Sequence, residues 1–379
     1  MLVDNDGVVF SKDESVFFRQ PSTQKVESVQ SDPGSGDACV KRYTKGKSMK
    51  IVPKILLPVL LAGLSLQQSA IGQAYPNKPV RIFQANGASG PPDMVLRGAA
   101  QVLSLALGQQ FIVENRSGAD GIIAFDSCAK ARPDGYTLCQ GAVSHIVLNP
   151  LMRANMPYDI LRDFVPVAHL GTTHNSIAVN SAVPVNSLRE LFELAKANPG
   201  RISWGSDGQS GPAHLYMAWL KNSRGISFLD VPYKNAQVAW MAMLAGDIQA
   251  SITIPSLAAP AVKAGRAKVL GINGDVRSAI LPDVPLSGDA DAEFGKVLIT
   301  IWFGLLAPTG TPKEIVNRLH AEITRGLLQN EAMREKFLGS QGVMVQSNAS
   351  ASPEAFGEFI RREREKLATL VKVTGVKIE

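Results

Sequence analysis

The sequence predicts an α/β fold with two lobes, each a mostly parallel sheet flanked by helices. Three observations carry this expectation. Short apolar strands alternate with helical stretches along residues 75–379, the pattern of strand–helix–strand units whose helices cover a parallel sheet. About 300 residues follow the N-terminal leader, enough for two domains of roughly 100–200 residues. Two glycine-containing loops between a strand and a helix lie far apart, at 86–90 and 205–211.

Residues 1–48 are polar, rich in Ser, Lys and Asp, and lack a sustained apolar period. They bury too little surface to offset the entropy of ordering and are expected to be disordered. Residues 49–74 have the layout of a signal peptide. Lys50 and Lys54 precede an apolar run broken by Pro58 and Gly63, and Gly72-Gln73-Ala74 supplies small residues before the cut. A membrane span needs about 20 apolar residues, and this run is shorter. The expected outcome is cleavage after Ala74 and release into the periplasm.

Candidate strands are 80–85, 111–114, 136–140, 176–179, 202–204, 248–254 and 268–272. The first long helix should cover 94–107, with Asp93 as its N-cap. Ser187 and Glu190 form a capping box for a helix that ends near Pro199-Gly200. Thr311 and Glu314 suggest another box, with Pro312 at the first helical position. Ser352-Pro353 opens the last helix.

The whole chain carries a formal charge of +6. Its Lys and Arg are scattered, unlike a nucleic-acid footprint. Cys128 and Cys139 follow the leader; a disulfide between them and two small buried thiols are both compatible with the sequence. Catalytic patterns are missing. The five histidines include no H-E-x-x-H pair, and His169 and His174, five apart, do not share a helix face. No G-x-S-x-G elbow, Walker A loop or G-x-G-x-x-G fingerprint occurs. Ser144 and His145 are adjacent, and strand neighbours point to opposite faces. No metal or nucleotide-cofactor pattern is present; a binding protein and a hydrolase both fit these residues, and the resemblance given below implies the binding protein.

Both glycine loops lead into a helix, where free N–H groups suit an anion, although such loops also serve as plain turns. Asp93 and Asp207 lie in these loops and would compete with a bound anion. A nucleotide is disfavoured, and a mono- or dicarboxylate is easier to accommodate. His214, beside the second loop, either bonds the loop backbone or meets the ligand.

Several stretches in order carry a resemblance: YPNKPVRI (75–82), GPPDMVLR (90–97), VENRSGADG (113–121), PDGYTL (133–138) and YDILRDFVPVA (158–168). These are followed by AKANPGRISWGSDGQSGPAHL (195–215), VPYKN (231–235), AGDIQ (245–249), LPDVP (281–285), WFGLLAPTGTPKEIV (302–316) and PEAFGEFIRRE (353–363). Together they resemble the Bug-type extracytoplasmic solute receptors, the substrate-binding subunits of tripartite tricarboxylate transporters. The resemblance implies a periplasmic type II clamshell, with residues 75–173 and 299–379 in lobe 1 and 174–298 in lobe 2. The chain would cross between lobes near 171–176 and 295–301. It also implies capture of a small organic carboxylate by a monomer that delivers it to membrane subunits; a ligand sensor of the same fold is the alternative.

Carried over by position, first-lobe contacts would be Asn86, Ala88, Ser89, Gly90 and Asp93, with Ser144 and His145 on the same rim. Second-lobe contacts would be Ser206, Gly208, Ser210, His214, Tyr233 and Thr253, with Trp302 as a possible pocket wall. The chain departs from the family pattern at Ala85-Asn86, Ser89, Asn235 and Thr253. With Thr253 where an acidic group is common, the expectation is a carboxylate without a positive amine, hydrogen-bonded by Asn86.

Overall fold

The computed structural model describes residues 75–88, 90–274 and 277–376. The segments 1–48 and 49–74 lie outside the described residues, as does Ser89. In chain order the strands are β1 (Val80–Gln84), β2 (Phe111–Asn115), β3 (Thr137–Ala142), β4 (Phe164–Thr173), β5 (Asn175–Asn180), β6 (Ser203–Ser206), β7 (Leu229–Pro232), β8 (Ala250–Thr253), β9 (Ala267–Asn273) and β10 (Ile301–Pro308). The longer helices are α1 (Pro91–Leu107), α2 (Ile122–Ala129), α3 (Leu188–Ala197), α4 (Pro212–Arg224), α5 (Ala236–Ala245), α6 (Pro255–Lys263), α7 (Lys313–Ile323), α8 (Glu331–Phe337) and α9 (Pro353–Thr374).

The strands form two sheets with one shared plan. The first has the order β2-β1-β3-β10-β4 and the second β7-β6-β8-β5-β9. In the first, β2, β1 and β3 pair in parallel, and β10 runs antiparallel to both its neighbours. In the second, β7, β6 and β8 are parallel and β5 is the reversed strand. Each sheet thus has four strands in one direction and one against them. The reversed strand is in each case the first to arrive after the chain has left the other sheet. The chain passes between sheets at His174, the single residue between β4 and β5, and again just before β10.

Helices cover both faces of the first sheet. Leu96 and Leu103 of α1 and Leu319 and Ile323 of α7 join Ile82, Leu138 and Leu305 on one side. On the other, Phe125 of α2 and Phe356 of α9 pack with Phe83, Cys139 and Trp302. That second cluster does not stop at the lobe boundary. Leu367, Leu370 and Val371 of α9 continue it into Tyr216, Trp219 and Phe294 of the second lobe. Asn222 of α4 also donates to the carbonyl of Thr374, 2.6 Å away. The last helix therefore bridges the lobes.

Several expectations are corrected. Helix α1 begins at Pro91, and its N-cap is Gly90, without a side-chain cap; Asp93 lies inside the first turn. Thr311 does not cap α7, because its hydroxyl donates to the Pro308 carbonyl at 2.7 Å. Pro312 is the N-cap itself. Strand β4 was not foreseen, since Pro166 and its polar residues obscure a strand whose sheet partner is β10, with a further bridge from Thr172 to Met344. The short edge strand β7 ends in Pro232, as an edge tolerates. Ser187 and Ser352 do cap their helices, accepting from the N–H groups of Glu190 at 3.2 Å and Ala355 at 3.1 Å. Cys128 and Cys139 are free thiols, both buried. Burial pushes the Cys139 thiol well up.

Candidate ligand-binding cleft

The two glycine loops extend from the carboxyl ends of parallel strands, where open α/β sheets place their ligand crevice. Three close approaches bring the lobes together here. A Cβ at Gly90 would lie 3.2 Å from Gln237 Oε1, one at Gly87 4.0 Å from Asn235 Nδ2, and one at Gly208 2.8 Å from Asp120 Oδ1. Gly90 and Gly208 also have positive φ, +84° and +101°. Conformation favours glycine at both, and at Gly208 the approach of Asp120 leaves no room for a Cβ without a shift.

The first-lobe edge is lined by amides. Asn115, Gln84 and Gln140 are register partners on β2, β1 and β3, so their side chains share a sheet face. With its amide oriented to satisfy its neighbours, Gln84 donates to Asp93 Oδ1 at 2.9 Å and accepts from the Asp93 N–H at 3.1 Å. Arg97 donates to Asp93 Oδ2 at 2.8 Å. Asp93 is thus buried and committed on both oxygens, which corrects its expected role as a cap.

The same geometry revises the anion argument. Pro91 and Pro92 have no N–H. The next two N–H groups go to Gln84 and to the Gly90 carbonyl, the latter at 3.1 Å from Met94 N. Among the described residues, the first turn of α1 therefore has no N–H left for an anion. What the loop does offer is Asn86, half-buried, whose Oδ1 is enclosed without a partner among the described residues. Ala88 is exposed. In α4 only Pro212 lacks an N–H, so the second loop keeps more donors at its helix.

His145 and Ser144 lie in a π-helical turn after β3, not on a strand. The His145 ring stacks on Phe125, with centroids 6.2 Å apart. Its Nδ1 accepts from the Ala142 N–H at 2.9 Å, which leaves the proton on Nε2. Burial pushes its pKa down to about 4, so the ring is neutral at pH 7. Gly121 packs directly against this ring and against Ala85.

In the second lobe, Ser206 and Ser210 are buried, and the Ser206 carbonyl accepts from the Tyr233 N–H at 2.9 Å. Thr253 on β8 faces Ser176 on β5. Both hydroxyls are buried without a partner among the described residues. Polar atoms in such a position await a partner, since burying them unpaired costs about 1–3 kcal/mol each. His214 resolves its open role toward Asp230, which its Nδ1 meets at 2.7 Å. Asp207 folds over Gly211 within its own loop. Burial first, then its own backbone hydrogen bond in opposition and the charges of Asp120 and Asp230, leave its pKa at about 6.

Trp302 does not wall a pocket. Its indole is fully buried, stacks edge-on with Phe356 and Phe359, and donates to Glu363 at 3.3 Å. Asn235, a departure from the family pattern, caps α5 by accepting from the Val238 N–H at 3.0 Å. Asp120, Arg153, Gln84 and Gln237 reach the cleft without having been foreseen. The flanking glycines Gly118 and Gly121 were the only local sign of an unusual turn there.

The family model for the tripartite tricarboxylate transporter family receptor matches residues 95–376. The chain belongs to this family. Among solved structures, the receptor is similar to the periplasmic binding protein BugD, with 28% identity, 80% of this chain and 100% of that one covered, and a TM-score of 0.72. Rpa4515 of R. palustris, solved with adipate, is 27% identical over 80% of this chain and 99% of its own, with a TM-score of 0.73. MatC of Rhodopseudomonas palustris, solved with bound malate, is 25% identical over 78% and 100%, with a TM-score of 0.71. These relatives bear out the two-lobed binding fold and the Bug-type resemblance. Among the described residues of the receptor, no helix is long and apolar enough to cross a membrane. Nor, among them, do three or more His, Cys, Asp or Glu side chains group as a metal site would need.

Proposed function

We propose that the receptor captures a small organic carboxylate between its lobes in the periplasm and delivers it to membrane subunits of a transporter. The observation that carries this reading is the opposition of two glycine loops across the cleft, beside an enclosed amide at Asn86 and hydroxyls at Ser176 and Thr253 that lack partners among the described residues. The adipate and malate of the relatives support the ligand class, and the signal-like segment 49–74 supports export. Closure would desolvate the carboxylate against loop N–H groups and these side chains. Ligand affinity for the closed form would then shift the population toward it.

A thermal-shift screen over mono-, di- and aromatic carboxylates tests the reading. A ligand at 100 times its Kd stabilises the native state by about 2.7 kcal/mol. At least one carboxylate should raise the melting temperature, and Asn86→Ala and Ser206→Ala should reduce that shift without unfolding the protein. A screen in which only cationic or neutral solutes shift the midpoint would overturn it.

A further inference from the structure

We propose that Asp120 is a specificity-determining residue of the cleft, and that the carboxylate bound there also carries a hydrogen-bond donor, a hydroxyl or an ammonium group. This deepens the proposed function and rests on it.

The backbone around Asp120 is built at a cost. Ala119 and Asp120 have φ of +46° and +51°, between Gly118 at +136° and Gly121 at +80°. Two successive side-chain-bearing residues in the left-handed region are strained, and such strain persists only where the surroundings over-determine it. They do so here. Asn149 Nδ2 donates to the Asp120 carbonyl at 2.7 Å, and Arg153 Nη2 donates to Oδ2 at 2.5 Å. Gly121 cannot move, because it rests on the buried His145 ring.

The strained turn holds one carboxylate oxygen across the lobe boundary. Oδ1 is the atom that approaches Gly208, in the loop that supplies the second half of the cleft. Arg153 takes Oδ2, and Oδ1 keeps its lone pairs. An ionised carboxylate only accepts hydrogen bonds. Oδ1 therefore repels the ligand's own carboxylate and matches a donor elsewhere on it. The Arg153 ion pair offsets the charge, so a neutral hydroxyl and a charged ammonium are both chemically competent partners.

Titration calorimetry on matched carboxylates separates the possibilities. Succinate, malate and aspartate differ only in bearing a hydrogen, a hydroxyl or an ammonium group, and six-carbon analogues extend the series. Asp120→Gly relieves the positive φ and Asp120→Asn tolerates it, so both should fold. The wild type should favour a donor-bearing member over its plain counterpart by about tenfold or more, as expected for a hydrogen bond to a charged group. Asp120→Gly should abolish that preference and bind the plain carboxylate more tightly than the wild type does, because the repelling Oδ1 is gone and Arg153 is released. The hydroxyl and ammonium arms then identify the donor. An unchanged preference in Asp120→Gly, or a wild type that favours the plain member, overturns the role of Asp120 and leaves carboxylate capture standing. A wild type that binds no carboxylate in either series overturns both.

Discussion

His145 and His169 show how single buried rings set the pH response. Burial pushes both imidazoles from an ordinary 6.5 down to about 4. Between those values the unfolded chain binds more protons than the folded one, so stability falls as pH drops through the window. Asp207 runs the other way. Its folded pKa of about 6 exceeds the ordinary 3.8, so its contribution is present at low pH and lost as pH rises through that range. Two imidazoles outweigh one carboxyl. The melting temperature should fall between pH 7 and pH 5, each ring contributing at most about 1.4 kcal/mol per pH unit. Asp207→Asn should steepen that fall. A midpoint that rises on acidification would show that the rings are protonated in the fold.

The residue scale also marks the limit of the sequence. The places of Asn86 just after β1 and of Ser206 at the end of β6 were legible because a strand, a glycine loop and a helix follow one another locally. Asp120 was not. Its role arises from Arg153, 33 residues on, and from Gly208 in the opposite lobe, contacts that no local pattern encodes. Trp302 was misjudged for the converse reason. An aromatic residue on a returning strand looks the same in sequence whether it faces a pocket or α9.

At the scale of elements, capping was read well where the side chain acts locally, as at Ser187 and Ser352. It failed where prolines had already removed the donors, as at Asp93. Asn235 is a further local cap, and Asn235→Ala should cost about 1 kcal/mol by losing it, measured by denaturant unfolding. Asn235→Gly should cost only a few tenths, because glycine is itself an acceptable cap. Strand β10 meets α9 at Gly304, where a Cβ would run into Phe356 and touch Ile146 at 3.4 Å. Gly304→Ala should therefore destabilise by about 1–3 kcal/mol through overpacking. An unchanged unfolding midpoint would mean that α9 can shift outward freely. Strands β4, β7 and β10 were absent from the candidate strands because sheet membership depends on distant partners.

For the whole molecule, the proposed closure would take place around three connections, the two crossings and α9. Tyr216 ties one crossing to α4. Its hydroxyl accepts from the Ile299 N–H at 2.7 Å, and burial pushes its pKa well up. Small-angle scattering at saturating ligand should show a smaller radius of gyration than the free protein. Tyr216→Phe leaves the buried Ile299 N–H without its acceptor, and should lower stability by about 1–3 kcal/mol. An unchanged radius with ligand bound would place the closed form in the unliganded protein as well.

The position of β10 within its sheet bears on the order in which the chain can assemble. It lies between β3 and β4, yet it is made about 130 residues after β4 ends, once the entire second sheet has been synthesised. A chain emerging N-terminus first therefore presents β1–β3 with the edge strand β4 still unpaired to them, while β5–β9 already have all their strand partners. The second lobe can fold while the first is still waiting. A fragment spanning 75–298 should protect amide hydrogens from exchange in β5–β9 and leave β3 and β4 open. For a protein expected to cross a membrane unfolded, this delay postpones the commitment to a native first lobe until the chain is almost entirely through.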